Sequence, residues 1–331
     1  MTFRQIVYRE FGDPATVLAV EQVASVDPGP GQVVIALEAA PIHLADLKQI
    51  RGLPWFDGFK PPHVPGYEGV GRIDRVGAGV TEFKPGDRVF LPVGFGAWKE
   101  EFLTEAEGLW PAPEGIAAEQ LALIALNLPT AWLMLKSIVP LQQGDWVMQN
   151  AANSNVGYYL IRLARAMGVH TVNVVRRPEL LPALAASGGD LNLLDGEDLA
   201  ERVVEAVPAG RLKLAIDAIA GDATARLGAS FGGHGGTVAS YGLLSGEPCK
   251  MPPEMLMLDD VTLTGFYMSR TLSRMSRDEV RAMQQDINAF LVAHPPEAPV
   301  AAVYRFDEVA KAVTHAAAAG ADREGKIILR P

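Results

Sequence analysis

The sequence predicts an α/β protein in two parts, a β-rich module followed by a doubly wound parallel sheet. Three observations lead there. Residues 1 to about 125 alternate short β-like runs with glycine and proline punctuation. From Asp145 onward strand-like and helix-like segments take turns, which implies right-handed βαβ crossovers and a parallel sheet covered on both faces. Between the first such strand and the first such helix lies a loop of small residues, Asn150-Ala-Ala-Asn-Ser-Asn-Val-Gly157, where a doubly wound fold keeps its phosphate loop.

In the first part the clearest strands are 32–38, 69–76 and 87–91, β-branched runs set among Gly and Pro. In the second, 146–149, 170–175, 212–217 and 237–241 read as strands. Helices are expected over 155–167, 179–186 and 222–231. A further strand, 261–266, follows the sheet, and Ser276-Arg-Asp-Glu279 has the spacing of a capping box that opens a helix. A short helix at 307–318 and a strand at 326–329 complete the pattern, and this tail is expected to return to the first module. No internal repeat is found.

At 331 residues, 49% hydrophobic and 21% charged, the chain suits two packed cores. Its net charge of -10 comes from 39 acidic and 29 basic residues with no basic stripe, so nucleic acid is not an expected partner. The single cysteine, Cys249, excludes an internal disulfide and a multi-cysteine zinc lobe, and suits a reducing compartment. The start of the sequence has charges among its apolar residues, unlike a signal peptide. The longest apolar run, 121–135, is broken by Asn127 and Pro129 and is too short to span a bilayer. The expectation is a soluble, cytoplasmic protein without a membrane partner.

A dinucleotide loop uses glycine for a tight turn, for close approach of the pyrophosphate and for close packing of helix on strand. Only Gly157 is left here, and it serves the third purpose. Ala151, Ala152 and Ser154 are small enough to leave the N–H groups of the helix start facing an anion. Taken alone, the loop is equally an ordinary strand-loop-helix corner. The end of the second strand favours the nucleotide. A loop built for NAD usually has an acidic residue about 20 residues beyond its glycines, to take the ribose hydroxyls. This chain has Val174-Val-Arg-Arg-Pro178 instead. Arg176 and Arg177 can form charge-assisted bonds to a 2′-phosphate that an acid would repel, so the expected cofactor is NADPH.

Further motifs run along most of the chain: Asp46-Leu-Lys-Gln-Ile-Arg-Gly52, Pro65-Gly-Tyr-Glu-Gly-Val-Gly71, Val76-Gly-Ala-Gly-Val80, Pro85-Gly-Asp-Arg-Val89, Gln149-Asn-Ala-Ala-Asn-Ser-Asn-Val-Gly157, Thr171-Val-Asn-Val-Val-Arg176 and Gly265-Phe-Tyr-Met-Ser269. On these residues the chain resembles the zinc-independent medium-chain dehydrogenase/reductase superfamily. Within it, the Asn-Ser loop followed by Asn-Val-Val-Arg is similar to the 2-enoyl thioester (enoyl-CoA or enoyl-ACP) reductases, with quinone oxidoreductases as neighbours.

The resemblance implies a GroES-like catalytic domain made of residues 1–125 and 268–331, a Rossmann domain at 126–267, and an active site in the cleft between them. It implies NADPH held by Asn150, Ala151, Asn153, Ser154, Asn155, Val156 and Gly157, by Arg176 and Arg177, and by Tyr241, Phe266 and Lys326. A homodimer is implied too. The run 261–266 is where that contact would fall, although an internal edge strand reads equally well. The implied activity is NADPH-dependent reduction of an activated C=C bond, first a 2-enoyl thioester. Alternatives are a quinone or alkenal reductase and, in another class, an NADPH-binding sensor or structural protein without turnover.

Zinc-using relatives carry Cys at the place of His43, His at the place of Tyr67 and Cys near Leu126, so no metal is expected. The enoyl thioester reductases have a tyrosine just after the Gln-Gly of the first module. In Ile50-Arg-Gly-Leu-Pro-Trp55 that place is taken by Pro54. Tyr67 and His43 are then the candidate proton or hydrogen-bond donors, with Trp55 and Tyr267 in the acyl pocket. Asp46 and Glu68 read as scaffold groups, since neither has an obvious neighbour to raise its pKa. Arg270, Arg274 and Arg277 read as a solvated charge group.

Overall fold

The computed structural model describes residues 1–53, 59–94, 96–318 and 325–331. Strand β1 (Thr2–Tyr8) buries Ile6, Val7 and Tyr8 at its end and pairs antiparallel with β2 (Leu18–Ala24). Between them, α1 (Pro14–Val17) starts at Asp13, whose carboxylate accepts the Ala15 N–H, with Pro at the first helical position where its missing donor costs nothing. Strand β3 (Gln32–Pro41) is the spine of the main sheet, and α2 (Leu44–Ile50) follows it. Strands β4 (Val70–Val76), β5 (Arg88–Phe90), β6 (Glu101–Glu105) and β7 (Trp110–Pro111) extend that sheet, with β4 and β6 both antiparallel to β3. Then come α3 (Ala118–Leu121) and α4 (Ile124–Ser137), the latter built from the long apolar run, with Pro129 inside it.

The alternating part begins with β8 (Trp146–Gln149), α5 (Asn155–Ala166) and β9 (His170–Val175). It continues through α6 (Leu181–Ala186), β10 (Leu191–Leu194), α7 (Leu199–Ala206), β11 (Leu212–Asp217), α8 (Asp222–Ala229) and β12 (Gly236–Ser240). It closes with α9 (Pro253–Met257), β13 (Val261–Gly265) and α10 (Met268–Leu272). Among the described residues these strands form one parallel sheet in the order β10-β9-β8-β11-β12-β13. The order reverses between β8 and β11, which makes the carboxyl ends of those two strands the ligand-binding edge of such a sheet. Met148, Val172, Ala215 and Val238, from four adjacent strands, are fully buried in its core.

Helix α11 (Arg277–Ala293) leads back to β14 (Val300–Arg305), α12 (Val309–Ala317) and β15 (Lys326–Arg330). Strand β15 pairs antiparallel with β3, Ile328 opposite Pro41 and Leu329 opposite Ala40, and parallel with β14. Its Ile327 and Leu329 share a core with Tyr8, Trp98, Phe102 and Phe306, and Ile328 is also buried. The chain thus divides into one unit of Met1–Leu126 with Arg277–Pro331 and a second of Asn127–Ser276. Residues 268–276 go with the second unit rather than with the tail. The reason is local: Met268 is buried, and Thr130 Oγ1 lies 3.4 Å from its sulfur.

Candidate active site

In the second unit the strand-to-helix corner is built around backbone economy. Ala151 takes a positive φ of 48°, the conformation for which glycine is usual, and Ala152 is fully buried with its N–H donated to the Val174 carbonyl. Ser154 caps α5, its Oγ accepting the Gly157 N–H at 3.1 Å. Gly157 cannot be anything larger, because a Cβ there would stand 2.3 Å from the Ala152 oxygen. The alanines have therefore taken over the turn while glycine keeps the helix against the loop. Asn153 is exposed. Asn155 and Val156 open the helix, where N–H groups lack intrahelical acceptors, and the buried Asn155 Nδ2 has no hydrogen-bond partner among the described residues. A helix start with an unused amide donor fits a phosphate oxygen.

The same corner is held from below. Asn150 donates from Nδ2 to Asp217 Oδ1 at 2.7 Å and accepts the Ala218 N–H at 2.8 Å. Asp217, fully buried, also accepts the N–H groups of Ile219 and Ala220 and the Thr224 hydroxyl. These bonds tie the ends of β8 and β11 together at the point of strand reversal. Tyr241, after β12, hydrogen-bonds Ser154, and burial pushes its hydroxyl pKa up to about 12, so it stays a neutral phenol. Phe266 donates its N–H to Ser240 at 2.8 Å, which brings the end of β13 to the same edge. Arg176 and Arg177 follow β9 two residues after the Val174 carbonyl that holds Ala152, both exposed, with Arg177 3.6 Å from Glu179. Tyr267 is exposed at 65%. Lys326 lies elsewhere, at the start of β15 in the first unit.

In the first unit His43 stands at the start of α2, with its Nε2 2.7 Å from Glu68 Oε1. Glu68 is fully buried, and its other oxygen accepts the Leu126 N–H at 2.7 Å. Tyr67, half-buried, adjoins Glu68 and meets the Phe59 ring edge-on at 6.0 Å. His43 is thus held by Glu68, the residue next to Tyr67 in the chain. Trp55 and Pro54 lie outside the described residues. Asp46 has no accessible surface and accepts the N–H groups of His43 and Gly66. Burial raises its carboxyl pKa to about 6. The expectation that nothing near Asp46 would raise it overlooked desolvation, which needs no charged neighbour.

Zinc does not fit this set of donors. His43 Nε2 and both Glu68 oxygens are already engaged, and among the described residues no group of three or more His, Cys, Asp or Glu could hold an ion.

A reversed parallel sheet with a capped, small-residue loop at its carboxyl edge defines a dinucleotide-binding protein. Residues 29–114 match the alcohol dehydrogenase GroES-like domain, and residues 155–286 match the zinc-binding dehydrogenase family. The mitochondrial enoyl-[acyl-carrier-protein] reductase of Caenorhabditis elegans is 37% identical over 274 residues, 81% of this chain and 78% of that protein. Among solved structures, a Bacillus thuringiensis protein named for NADPH:quinone reductase activity is 26% identical with a TM-score of 0.90, over 100% of this chain and 99% of its own. A heterodimeric mitochondrial 2-enoyl thioester reductase of Candida tropicalis shares the fold, with a TM-score of 0.85 at 22% identity and 100% of both chains covered. The chain belongs to the medium-chain dehydrogenase/reductase superfamily, in its enoyl reductase branch.

Proposed function

We propose that the protein reduces an activated C=C bond with NADPH, a 2-enoyl thioester first. What carries this reading is the Ser-capped loop Asn150–Gly157 beside Arg176 and Arg177, in a chain 37% identical to a reductase named for enoyl-acyl-carrier-protein. The helix start and the Asn155 amide hold the pyrophosphate, and the two arginines hold the 2′-phosphate. Bound NADPH supplies the hydride. Tyr67 donates a hydrogen bond to the substrate carbonyl, where charge develops. His43, positioned by Glu68, is the second donor. Tyr267 lies against the acyl chain, and Phe266 and Tyr241 close on the cofactor. No metal takes part in this scheme.

A quinone or alkenal reductase is the second reading, favoured by the absence of a tyrosine at Pro54 and by the 26% identical quinone reductase of the same fold. The active form is a homodimer joined along β13, as that strand is the sheet edge with Thr262 and Thr264 exposed. No described helix is long and apolar enough to cross a membrane. A cytoplasmic site suits the lone Cys249, whereas the named relatives are mitochondrial, and cell fractionation separates the two.

The test is loss of NADPH absorbance when crotonyl-CoA, a longer enoyl-CoA and a benzoquinone are offered in turn. Turnover of a thioester supports the first reading and turnover of the quinone alone the second. Binding of NADPH without consumption of any acceptor would refute both and leave a sensor or structural protein.

A further inference from the structure

At the opposite end of the strands from the nucleotide loop, the second unit has an open cavity of about 650 Å³, with Gln143, Arg165, His170 and Asp190 exposed along it. This is within the range of roughly 300–1,000 Å³ typical of small-ligand sites. Gln143, Arg165, Gly188, Gly189, His170 and Asp190 line it. Arg165 makes no ion pair or side-chain hydrogen bond with the described residues, so its guanidinium is a cation with its donors unused. Gly188 takes a positive φ of 95°, and a Cβ there would stand 2.7 Å from Arg165 Nη1, so the guanidinium lies on bare backbone. Both oxygens of the Asp190 carboxylate are engaged, one with His170 Nδ1 at 2.9 Å and the other by the Thr171 N–H at 3.0 Å.

A line of hydrogen bonds runs from this cavity to the nucleotide loop. Asp190 accepts from the Thr171 hydroxyl, Thr171 Oγ1 accepts from Asn173 Nδ2 at 2.9 Å, and Asn173 Oδ1 accepts from Gln149 Nε2 at 2.9 Å. The same Gln149 nitrogen donates to the Gly157 carbonyl at 3.0 Å. Asn173 and Gln149 are almost wholly buried, so neither can turn to water if a partner moves. Gly189 joins the cavity wall to this line directly, for a Cβ there would stand 2.5 Å from both Asn173 Nδ2 and Asn192 Oδ1.

We propose that the cavity is a second ligand site, taking a small organic anion by a carboxylate or phosphate on Arg165, and that its occupancy alters the nucleotide loop. A planar guanidinium with free donors takes either group in two parallel bonds, and the Gln143 amide supplies a further donor. The second half of the proposal rests on the reading of Asn150–Gly157 as a nucleotide loop; the first half does not.

Hydrogen exchange on the whole protein, with succinate and with inorganic phosphate as probes, tests both halves. Saturable protection of the amides at 143–146, 165–170 and 185–191 is expected. It should weaken at least fivefold in Arg165→Gln and in Gln143→Ala, and persist in Arg176→Ala/Arg177→Ala. Protection confined to 150–157 and 176–177, or unchanged in both cavity variants, would overturn the site. A threefold or larger change in NADPH affinity with succinate present is expected, and an unmoved affinity would overturn the coupling. If NADPH does not bind at all, the nucleotide reading fails while the exchange data still judge the cavity.

Discussion

Asp46 sits without accessible surface between the N–H groups of His43 and Gly66, and its carboxyl pKa of about 6 lies above the ordinary 3.8. Between those values the folded chain binds the proton that the unfolded chain releases. Its contribution is therefore full below about pH 4 and is lost as pH rises to about 6, with a slope of up to about 1.4 kcal/mol per pH unit. Asp46→Asn removes this slope while giving up one acceptor, at about 1–3 kcal/mol of stability. Urea unfolding from pH 4 to 7 checks it, and a slope equal in both proteins would refute the assignment. Arg176 and Arg177 act by charge rather than by burial. Replacing both with Ala is expected to raise the KM for NADPH tenfold or more and leave that for NADH nearly unchanged, and equal effects would remove the 2′-phosphate from them.

Among the elements, strands were legible where the run was apolar on both faces. The expected 146–149, 170–175 and 212–217 coincide with β8, β9 and β11, which are central in the parallel sheet. Two edge strands left less signal, β10 with four half-buried residues and β2 without a buried position, whereas the edge strand β13 was expected at 261–266. The run 121–135 concealed α4 because a stretch apolar at most positions has no clear period from which to tell helix from strand. The loop Asn150–Gly157 was readable from residue size, but its support was not. Asn150 and Asp217 are 67 residues apart, and nothing in either local pattern announces the bond. The His43–Glu68 pair, 25 residues apart, was likewise visible only as two separate polar residues. At the β13 edge, Thr264→Lys should convert a dimer to monomer in sedimentation without lowering helix content, since a charge on an open strand edge opposes pairing. A dimer that survives this change is not joined along β13.

For the whole molecule, the tail is structural. Deleting residues 326–331 removes Ile327, Ile328 and Leu329, all fully buried, the first and last of them in the first unit's main core. At about 1.5–3 kcal/mol each, their loss of about 5–9 kcal/mol rivals the entire stability of a domain, about 5–15 kcal/mol. The truncated chain is expected to lose the near-ultraviolet signal of Trp98 and its neighbours. NADPH binding by the second unit should fall far less, and a normal spectrum would mean that β15 is dispensable. The pairing of β15 with β3 also has a consequence during synthesis. As the nascent chain leaves the ribosome, its first 126 residues must wait, incomplete, through some two hundred more, while the inserted parallel sheet has every strand it needs first. Translation therefore reverses the written order of the domains, and protease digestion of chains stalled near residue 315, with the second unit clear of the ribosome and β15 not yet made, should find the later one already resistant and the earlier one still open.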